Sequence, residues 1–271
     1  MLYDRHTECM PDFGDFDARG YRTVDVRSGY AEWLPTYEAT VAELMDIPLL
    51  EVLTRVPWAS MSRAADLGCG TGRTGAWLRR RGVAVIDGVD LTPEMLAIAG
   101  ERDVYRQLVE GDVAATGLDD ASYDLVTVCL VDEHLAELPP LYREAWRLAK
   151  GGARLVLVGF HPHMIMASGM PTHFRSASGE QVAIETHVHL LSEHTTAALD
   201  AGWTLVEMKE RLVDHQWLAV KPSWERFRGT HCRLRSSGGN RPSDGPERRP
   251  EFHCFLIQTS HTLHAFRPSV R

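Results

Sequence analysis

Residues 66–75 read DLGCGTGRTG, a glycine-rich stretch that begins with an acid. Gly70, Gly72 and Gly75 fit the pattern G-x-G-x-x-G, which is typical of loops that bind dinucleotide phosphates. A phosphate loop binds its anion through backbone N–H groups at a helix N-terminus, and the P-loop version needs a lysine that this stretch lacks. The carboxylate of Asp66 would repel a pyrophosphate but would attract a cationic amine, directly or through water. The stretch therefore favours a ligand with an amine and no phosphate.

A second acid follows at the end of the next apolar segment. Asp90 lies in GVDLTPEML, 24 residues after Asp66, where acids accept hydrogen bonds from ribose hydroxyls. An acid for an amine, an acid for a ribose and glycines that allow close backbone approach fit S-adenosylmethionine, which has an amino acid end, a ribose and no phosphate. We expect this molecule as the cofactor, with S-adenosylhomocysteine as its product.

Strand and helix patterns alternate on both sides of the glycine loop. The predicted strands are RAADLG, VAVIDGVDL, YRQLVEGDV, YDLVTVCLV, ARLVLVGF and WTLVEMKERLV, with EFHCFLIQTS as a candidate last strand. Helices are predicted for RTGAWLRRRG, TPEMLAIAGER, PPLYREAWRLAKGG and SEHTTAALDAG, the last capped by Ser192. This alternation predicts an α/β, Rossmann-like fold: a doubly wound, mostly parallel seven-stranded sheet with helices on both faces. Ligands of such sheets bind outside the carboxyl ends of the strands.

Five motifs occur in an order and spacing that are familiar as a set. DLGCGTGRTG, GVDLTPEML, EGDV, YDLV and RLAKGGARLVLV resemble the class I S-adenosylmethionine-dependent methyltransferases, most closely the type of ubiquinone and menaquinone biosynthesis. The resemblance covers about residues 30–160 well and 190–213 weakly. It implies methyl transfer to an oxygen or nitrogen atom of a small molecule, with carbon as a less favoured acceptor atom and secondary metabolism as a candidate setting.

The resemblance also implies roles for individual residues. The methionine half of the cofactor would contact the glycine loop at Asp66, Gly68, Cys69 and Gly70. Asp90 would bind the ribose and Leu91 would pack on the adenine. Asp112 would approach the adenine amino group, beside the Val113 backbone.

Three further positions are carried over from the same resemblance. Cys129 and Leu130 follow the fourth strand, where backbone atoms face the amine or methyl end of the cofactor. Tyr37, with Tyr30, resembles the N-terminal aromatic residues that close over the methionine. The alternative for both tyrosines is packing between helices.

The predicted domain organisation follows from composition. Residues 1–28 are expected to be a loose N-terminal arm. The methyltransferase domain spans 29–220 and begins with an N-terminal helical cap, whose helices are expected to break at Pro35 and Pro48. Residues 221–250 hold eight basic and three acidic residues among clustered Gly, Pro and Ser, and are predicted to be a flexible basic loop. Residues 251–271 form the last strand and tail.

Methyl transfer from a sulfonium is a direct displacement, so an enzyme must mainly align the reactants and exclude water. A hydroxyl acceptor usually needs a base, which should follow the fourth or fifth strand. VDEHL offers Asp132, Glu133 and His134, and GFHPH offers His161. We take His134 or His161 as the base or orienting group, against a purely structural role for His134. The other candidates have less support: His163, His173, His187, His189 and His194.

Residues 161–190 are the predicted substrate insert. THFRSASGEQVAIET predicts a hairpin around 178–179, and methionines with Phe160 and Phe174 suggest an adaptable apolar wall. An apolar or aromatic small molecule with one hydroxyl or amine is the expected acceptor; the alternative is a plain packing surface. Two H-x-H pairs, 161/163 and 187/189, could chelate a metal, but nothing brings the pairs together, and we expect no metal.

Composition limits the partners. A formal net charge of −8 argues against nucleic acid, and no apolar run reaches the roughly 20 residues of a membrane span. Five widely spaced cysteines and an acidic N-terminus without an apolar core predict reduced thiols and a cytoplasmic protein. Three alternatives stay open: a protein, peptide or RNA methyltransferase, a non-methylating S-adenosylmethionine-binding protein, and an NAD-dependent dehydrogenase, which Asp66 disfavours. The oligomeric state is not predicted.

Overall fold

The computed structural model describes residues 12–41 and 45–228, together with the backbone of 255–260. The helices are α1 Val26–Thr40, α2 Ile47–Glu51, α3 Arg73–Arg80, α4 Pro93–Glu101, α5 Pro139–Leu148, α6 Pro162–Ser168, α7 Leu191–Asp200 and α8 His215–Val220. The strands are β1 Arg22–Val24, β2 Arg63–Leu67, β3 Val85–Asp90, β4 Gln107–Glu110, β5 Tyr123–Cys129, β6 Ala149–Gly159, β7 His173–Arg175, β8 Gln181–Ile184, β9 Thr204–Lys209 and β10 Phe255–Ser260.

Seven strands form one sheet in the order β4-β3-β2-β5-β6-β10-β9. The first five are parallel, and β10 runs antiparallel to both β6 and β9. The predicted α/β fold with a mostly parallel sheet is therefore confirmed. The strand order reverses direction at β2, so the glycine loop that follows β2 lies at the switch point of the sheet.

The sheet is covered by helices on both faces because alternate residues of each strand point to opposite sides. One core joins α5 and α7 to Ala65, Leu67, Val126, Val128, Leu155 and Leu157. The other joins α2 and α3 to Ala64, Ile86, Leu125, Val156 and Val158. Burial of both faces explains why these strands read as nearly continuous apolar runs.

A second, three-stranded sheet lies outside the main one, in the order β1-β8-β7. The predicted hairpin is confirmed as β7 and β8, which pair antiparallel. The prediction of a loose arm is wrong over its described part, because β1 pairs in parallel with β8 and α1 already begins at Val26. Strand β1 supplies the open edge of β8 with hydrogen-bonding partners, and three residues are too short to show a strand period in the sequence.

Two details of the helices differ from the sequence-based expectations. Pro35 lies inside α1 and does not break it. The aromatic rings of Tyr30, Trp33 and Tyr37 pack against one another on this helix, on both sides of the proline in the sequence. Ser192 is not the cap of α7: the N-cap is Leu190, two residues earlier, and its backbone N–H donates a hydrogen bond to Glu193 at 2.7 Å.

The C-terminal part is described only in pieces. In the predicted loop 221–250, residues Pro222–Phe227 form a 3₁₀ helix, and Trp224 and Phe227 pack against Trp217. Residues 229–250 lie outside the described residues, as do Cys9, Cys232 and Cys254. The backbone of β10 agrees with the predicted last strand. Over the described residues, no helix combines the length and apolar character that a membrane span needs.

Candidate active site

Asp66 stands at the carboxyl end of β2 and is buried. One carboxylate oxygen accepts a hydrogen bond from the Tyr105 hydroxyl at 2.8 Å, and the other accepts one from the Thr127 hydroxyl at 2.8 Å. Burial raises the pKa of Asp66 to about 6. Both partners sit on segments that the sequence marked as strands, but neither was predicted to contact this acid.

The glycines of the loop serve different needs. Gly68 has φ +67°, and a Cβ there would overlap Cγ2 of Val131, so this glycine is required by the protein's own packing. A Cβ on Gly75 would overlap the Tyr105 hydroxyl, which explains the third glycine of the dinucleotide pattern without a dinucleotide. Gly70 has φ +53° and nothing within 4 Å of its Cβ position, which leaves its backbone open to a ligand.

Asp90 closes the loop from the neighbouring strand. Its two carboxylate oxygens accept hydrogen bonds from the backbone N–H of Gly70 at 2.7 Å and of Thr92 at 2.9 Å. Burial raises the pKa of Asp90 despite these bonds. The next residue, Leu91, is 40% exposed, one of few large apolar side chains left at the surface. The Asp90 carboxylate is suited to the hydroxyls of a sugar, and the exposed Leu91 is suited to pack on a flat base attached to that sugar.

The other residues predicted to bind the cofactor have environments that differ from those of Asp66 and Asp90. Asp112 is exposed and accepts a hydrogen bond from the backbone N–H of Ala114 at 2.8 Å, while Val113 is buried in the core. Cys69 is buried and Cys129 is partly buried, and burial raises the pKa of both thiols well above its ordinary value. Neither cysteine is therefore a thiolate at neutral pH.

The N-terminal helices are fastened to the glycine loop by charge. Arg73, at the start of α3, forms a buried ion pair with Asp46 at 2.8 Å and donates a hydrogen bond to the carbonyl of Val41 at 2.9 Å. Its guanidinium also lies 5.9 Å from the ring centre of Tyr37. Glu38 bonds to the Thr71 hydroxyl of the loop. These bonds attach the end of α1 and the start of α2 to the glycine loop and the start of α3.

A cavity of about 870 Å³ lies beyond the glycine loop, past the ends of β5 and β6. Leu130, which follows β5 in a left-handed conformation, and Phe160, which follows β6, form part of its wall. The rest comes from α1, α6, the β7–β8 hairpin and the 217–227 segment. Its aromatic lining is Tyr30, Trp33, Tyr37, Phe160, Phe174, Trp217, Trp224 and Phe227.

Glu133 lines this cavity, although we did not choose it above its neighbours in VDEHL. The residue is buried, and its Oε2 atom has no hydrogen-bond partner. Burial, and next the adjacent Asp132 carboxylate, raise the pKa of Glu133 well above its ordinary value. The raised pKa favours the protonated form of Glu133, which can donate a hydrogen bond into the cavity.

His134 does not belong to the cavity lining; it lies behind Tyr30. Its Nδ1 is 2.7 Å from the carbonyl oxygen of Glu185, which can only accept, so Nδ1 carries the proton. Its Nε2 then accepts a hydrogen bond from the Tyr30 hydroxyl at 2.8 Å. Burial lowers the pKa of His134 to about 4, so the ring is neutral. His134 thus touches two residues of the cavity lining, because its Nε2 also lies 3.8 Å from Oε1 of Glu133.

His161 is also outside the cavity lining. Its Nδ1 accepts a hydrogen bond from the backbone N–H of His163 at 3.1 Å and so caps α6, and its Nε2 lies 3.0 Å from Glu210. This geometry favours a structural role. The H-x-H pairs are not on strands, and the part of the chain that the structure describes holds no group of three potential metal ligands among His, Cys, Asp and Glu.

Taken together, the residues at the ends of β2 and β3 fit S-adenosylmethionine. The backbone at Gly70 is open, two carboxylates end adjacent strands, and an exposed leucine stands where a base would pack. A phosphate group would meet Asp66 and Asp90, which disfavours a dinucleotide.

Comparison with known proteins agrees with this geometry. Residues 65–157 match a family described as a methyltransferase domain. The chain is 35% identical to the demethylmenaquinone methyltransferase of Deinococcus radiodurans over 108 residues, 38% of this chain and 45% of that protein. It is 30% identical to the malonyl-[acyl-carrier protein] O-methyltransferase of Serratia marcescens over 129 residues, 47% of this chain and 49% of that protein. The chain thus spans less than half the length of these relatives.

Solved structures share the fold at low sequence identity. An S-adenosylmethionine dependent methyltransferase from Mesorhizobium loti is 18% identical with a TM-score of 0.55, covering 79% of this chain and 96% of that chain. The geranyl diphosphate C-methyltransferase of Streptomyces coelicolor is 17% identical with a TM-score of 0.51, covering 74% and 70%. Residues 65–157, which carry the glycine loop and both strand-end acids, therefore form a methyltransferase domain, and the solved structures share its fold.

Proposed function

We propose that this chain transfers a methyl group from S-adenosylmethionine to an oxygen, nitrogen or carbon atom of a small molecule held in the 870 Å³ cavity. One observation carries the proposal: the cavity begins at Leu130, immediately after β5, and β5 pairs with the strand that bears Asp66. A ligand in the cavity therefore lies beside the glycine loop, at the carboxyl edge of the same sheet.

On this proposal the cofactor site comprises the loop and strand ends. The residues involved are Tyr37, Asp66, Gly68, Cys69, Gly70, Asp90, Leu91, Asp112, Val113 and Cys129. Asp90 would exchange its bond to the Gly70 N–H for ribose hydroxyls, or share it with them. Asp66, held by Tyr105 and Thr127, would act on the amine at longer range. S-adenosylmethionine, when bound, would supply an electrophilic methyl group: the acceptor atom bonds to the methyl carbon, and the sulfur leaves as the thioether of S-adenosylhomocysteine.

The chain's own contribution is to orient the acceptor and exclude water. Aromatic side chains of α1 and the hairpin enclose the acceptor, and the Tyr30 hydroxyl, fixed by His134, can bond to it. Glu133, whose raised pKa favours the protonated form, donates a hydrogen bond and so orients the acceptor atom. His134 acts through Tyr30 as a positioning residue, and His161 stabilises α6.

The domain arrangement supports the same division of labour. The family match ends at residue 157, so residues 161–190, which supply part of the cavity wall, lie beyond the matched domain. Two relatives are named for small-molecule acceptors, demethylmenaquinone and trans-aconitate. We propose by analogy that this insert, together with α1, selects the acceptor.

The test uses the full chain with methyl-labelled S-adenosylmethionine and separate small-molecule, protein and RNA fractions of cells. We expect S-adenosylhomocysteine to form with the small-molecule fraction, and label to enter products identified by mass. Calorimetry with S-adenosylhomocysteine checks the cofactor separately. Absence of binding, together with tight binding of a nicotinamide nucleotide, would refute the proposal, and labelling confined to protein or RNA would refute its acceptor class.

Two variants of Glu133 test its role. Glu133→Leu removes the hydrogen-bond donor and should lower transfer at least about 100-fold while S-adenosylhomocysteine still binds. Glu133→Gln keeps a donor and should retain transfer within about tenfold of the wild type. If both variants fail equally, Glu133 acts as a base and not as a donor. Glu137→Gln changes an exposed acid four residues away and serves as the control.

A further inference from the structure

The cavity wall carries a charge opposite to that of the whole chain. Arg19, Arg175, Lys221 and Arg226 line the cavity, whereas the chain has a formal net charge of −8. Among the described residues of this lining, Glu133 is the one carboxyl residue, and its raised pKa favours the uncharged form. The cations come from the N-terminal segment, β7 and the C-terminal segment, so folding brings them together from distant parts of the chain.

These four cations have no carboxylate partner within the described parts of the chain. Arg175 donates to the carbonyl of Gly179 at 2.8 Å, and Lys221 donates to the carbonyl of Thr40 at 2.7 Å. Arginines elsewhere differ: Arg73 pairs with Asp46 and Arg106 with Asp87. No carboxylate among the described residues neutralises the charge of these cations, so their positive charge can attract an anionic ligand into the cavity.

Arg19 has a buried Nε atom with no hydrogen-bond partner, an arrangement that is destabilising unless an acceptor arrives. Its backbone is fixed, since its N–H donates to Asp17 at 2.8 Å and the N–H of Ala18 donates to the carbonyl of Gly169 at 3.0 Å. A Cβ on Gly169 would overlap the carbonyl oxygen of Phe16, so glycine at this site lets the segment approach α6. The fold thus holds this guanidinium at the cavity wall.

We infer that the acceptor is an anion: a small molecule with a carboxylate or phosphate group on an apolar or aromatic body. Arg19 and Arg175 bind the anionic group, with Lys221 and Arg226 adding to the field. The body packs on Trp33 and Phe174, whose rings stack 5.7 Å apart in the same wall. This inference rests on the proposed function, because it specifies the acceptor of that reaction.

A matched pair of probes tests the inference without knowledge of the acceptor. 8-Anilinonaphthalene-1-sulfonate and N-phenyl-1-naphthylamine share one aromatic skeleton and differ by the anionic sulfonate. We expect fluorescence titration of the full chain, with S-adenosylhomocysteine present, to show the sulfonate binding at least about tenfold more tightly. Competition with benzoate and with phenyl phosphate then distinguishes a carboxylate site from a phosphate site.

Variants locate the effect. Arg19→Gln and Arg175→Gln should each weaken the sulfonate probe at least about fivefold and leave the neutral probe unchanged. Arg143→Gln, an exposed arginine on α5 outside the cavity lining, should change neither. Equal affinity of the wild type for both probes, or equal effects of all three variants, would overturn the inference. Loss of S-adenosylhomocysteine binding by the wild type would instead count against the proposed function.

Discussion

The two halves of the site are built differently. The proposed cofactor half comes mostly from one stretch, residues 66–113, with Tyr37 and Cys129 added from outside it. Its acids have hydrogen-bond partners: Asp66 accepts from two hydroxyls and Asp90 from two backbone N–H groups. The acceptor half is assembled from distant segments and keeps polar atoms without partners, Arg19 Nε and Glu133 Oε2. Polar groups that have hydrogen-bond partners are held in a fixed geometry, whereas buried polar atoms without partners can bond to a ligand. We therefore expect changes in the first half to alter cofactor binding or stability and changes in the second to alter acceptor use.

The largest expected effect tests the cofactor half at its centre. Asp90→Ala removes the acceptor for Gly70 and Thr92 and, on our proposal, for the ribose. Because charge-assisted hydrogen bonds are the strong ones, S-adenosylhomocysteine should bind at least about 100-fold more weakly by calorimetry. Glu101→Gln, an exposed acid at the end of α4, is the control. Binding within a few-fold of the wild type would show that Asp90 has no part in the site.

Two glycines of the same loop should separate stability from binding. Gly68→Ala adds a Cβ that overlaps Val131 at positive φ and should lower the free energy of unfolding by about 2–5 kcal/mol in urea titration. Gly70→Ala meets no protein atom, so it should cost only about 1–2 kcal/mol in stability through its positive φ. Its main effect should be weaker S-adenosylhomocysteine binding. Equal losses of stability in both variants would contradict this division.

The acceptor half predicts a pH dependence through His134. Its pKa is about 4 in the folded chain against an ordinary 6.5, so the unfolded chain takes up a proton first and stability falls as pH drops from about 6.5 to about 4. Between pH 7.5 and 5 this amounts to roughly 2 kcal/mol. His134→Gln can keep bonds to Glu185 and Tyr30 without titrating.

The measurement is the difference between wild type and His134→Gln in urea unfolding at the two pH values. The pKa of Asp66 is raised from an ordinary 3.8 to about 6, so Asp66 lowers stability as pH rises through this range. Because both proteins contain Asp66, its contribution cancels in the difference. Parallel pH profiles for the two proteins would show that His134 is protonated in the fold and that Tyr30 is not its donor.

The smallest expected effect is at the periphery of the cofactor half. Asp112→Asn keeps an oxygen that can accept from the Ala114 N–H, and the side chain is exposed. Solvent screening should limit the loss of S-adenosylhomocysteine affinity by calorimetry to about threefold. A loss of 30-fold or more would mean that Asp112 contacts the adenine as closely as Asp90 is proposed to contact the ribose.

How far the sequence predicts this molecule differs between the same two halves. The strands and the helices between them can be predicted from hydrophobic periodicity and helix-capping residues. The loop with its two acids can be predicted from its glycine pattern, which also lies within a short stretch of sequence. The functions of Gly68 and Gly75 do not, because each is set by a side chain, Val131 or Tyr105, that only packing brings close. Strand β1 was missed for the same reason: its pairing with β8 joins residues about 160 positions apart.

The choice between Glu133 and His134 shows the limit most clearly. Both follow β5 in VDEHL, and the sequence favours the histidine because its ordinary pKa suits a base. Asp132–His134 forms a 3₁₀ turn, in which successive side chains point about 120° apart, so Glu133 faces the cavity and His134 faces the carbonyl of Glu185.

By itself, then, the sequence predicts the main sheet, the glycine loop and a sulfonium cofactor, because those predictions depend on residues that are neighbours along the chain. The tertiary structure alone decided which polar groups line the cavity and that four cations are among them. The orientation of these side chains and the charge around the cavity depend on which distant segments pack together. Burial in that packing shifts the pKa of each titratable group.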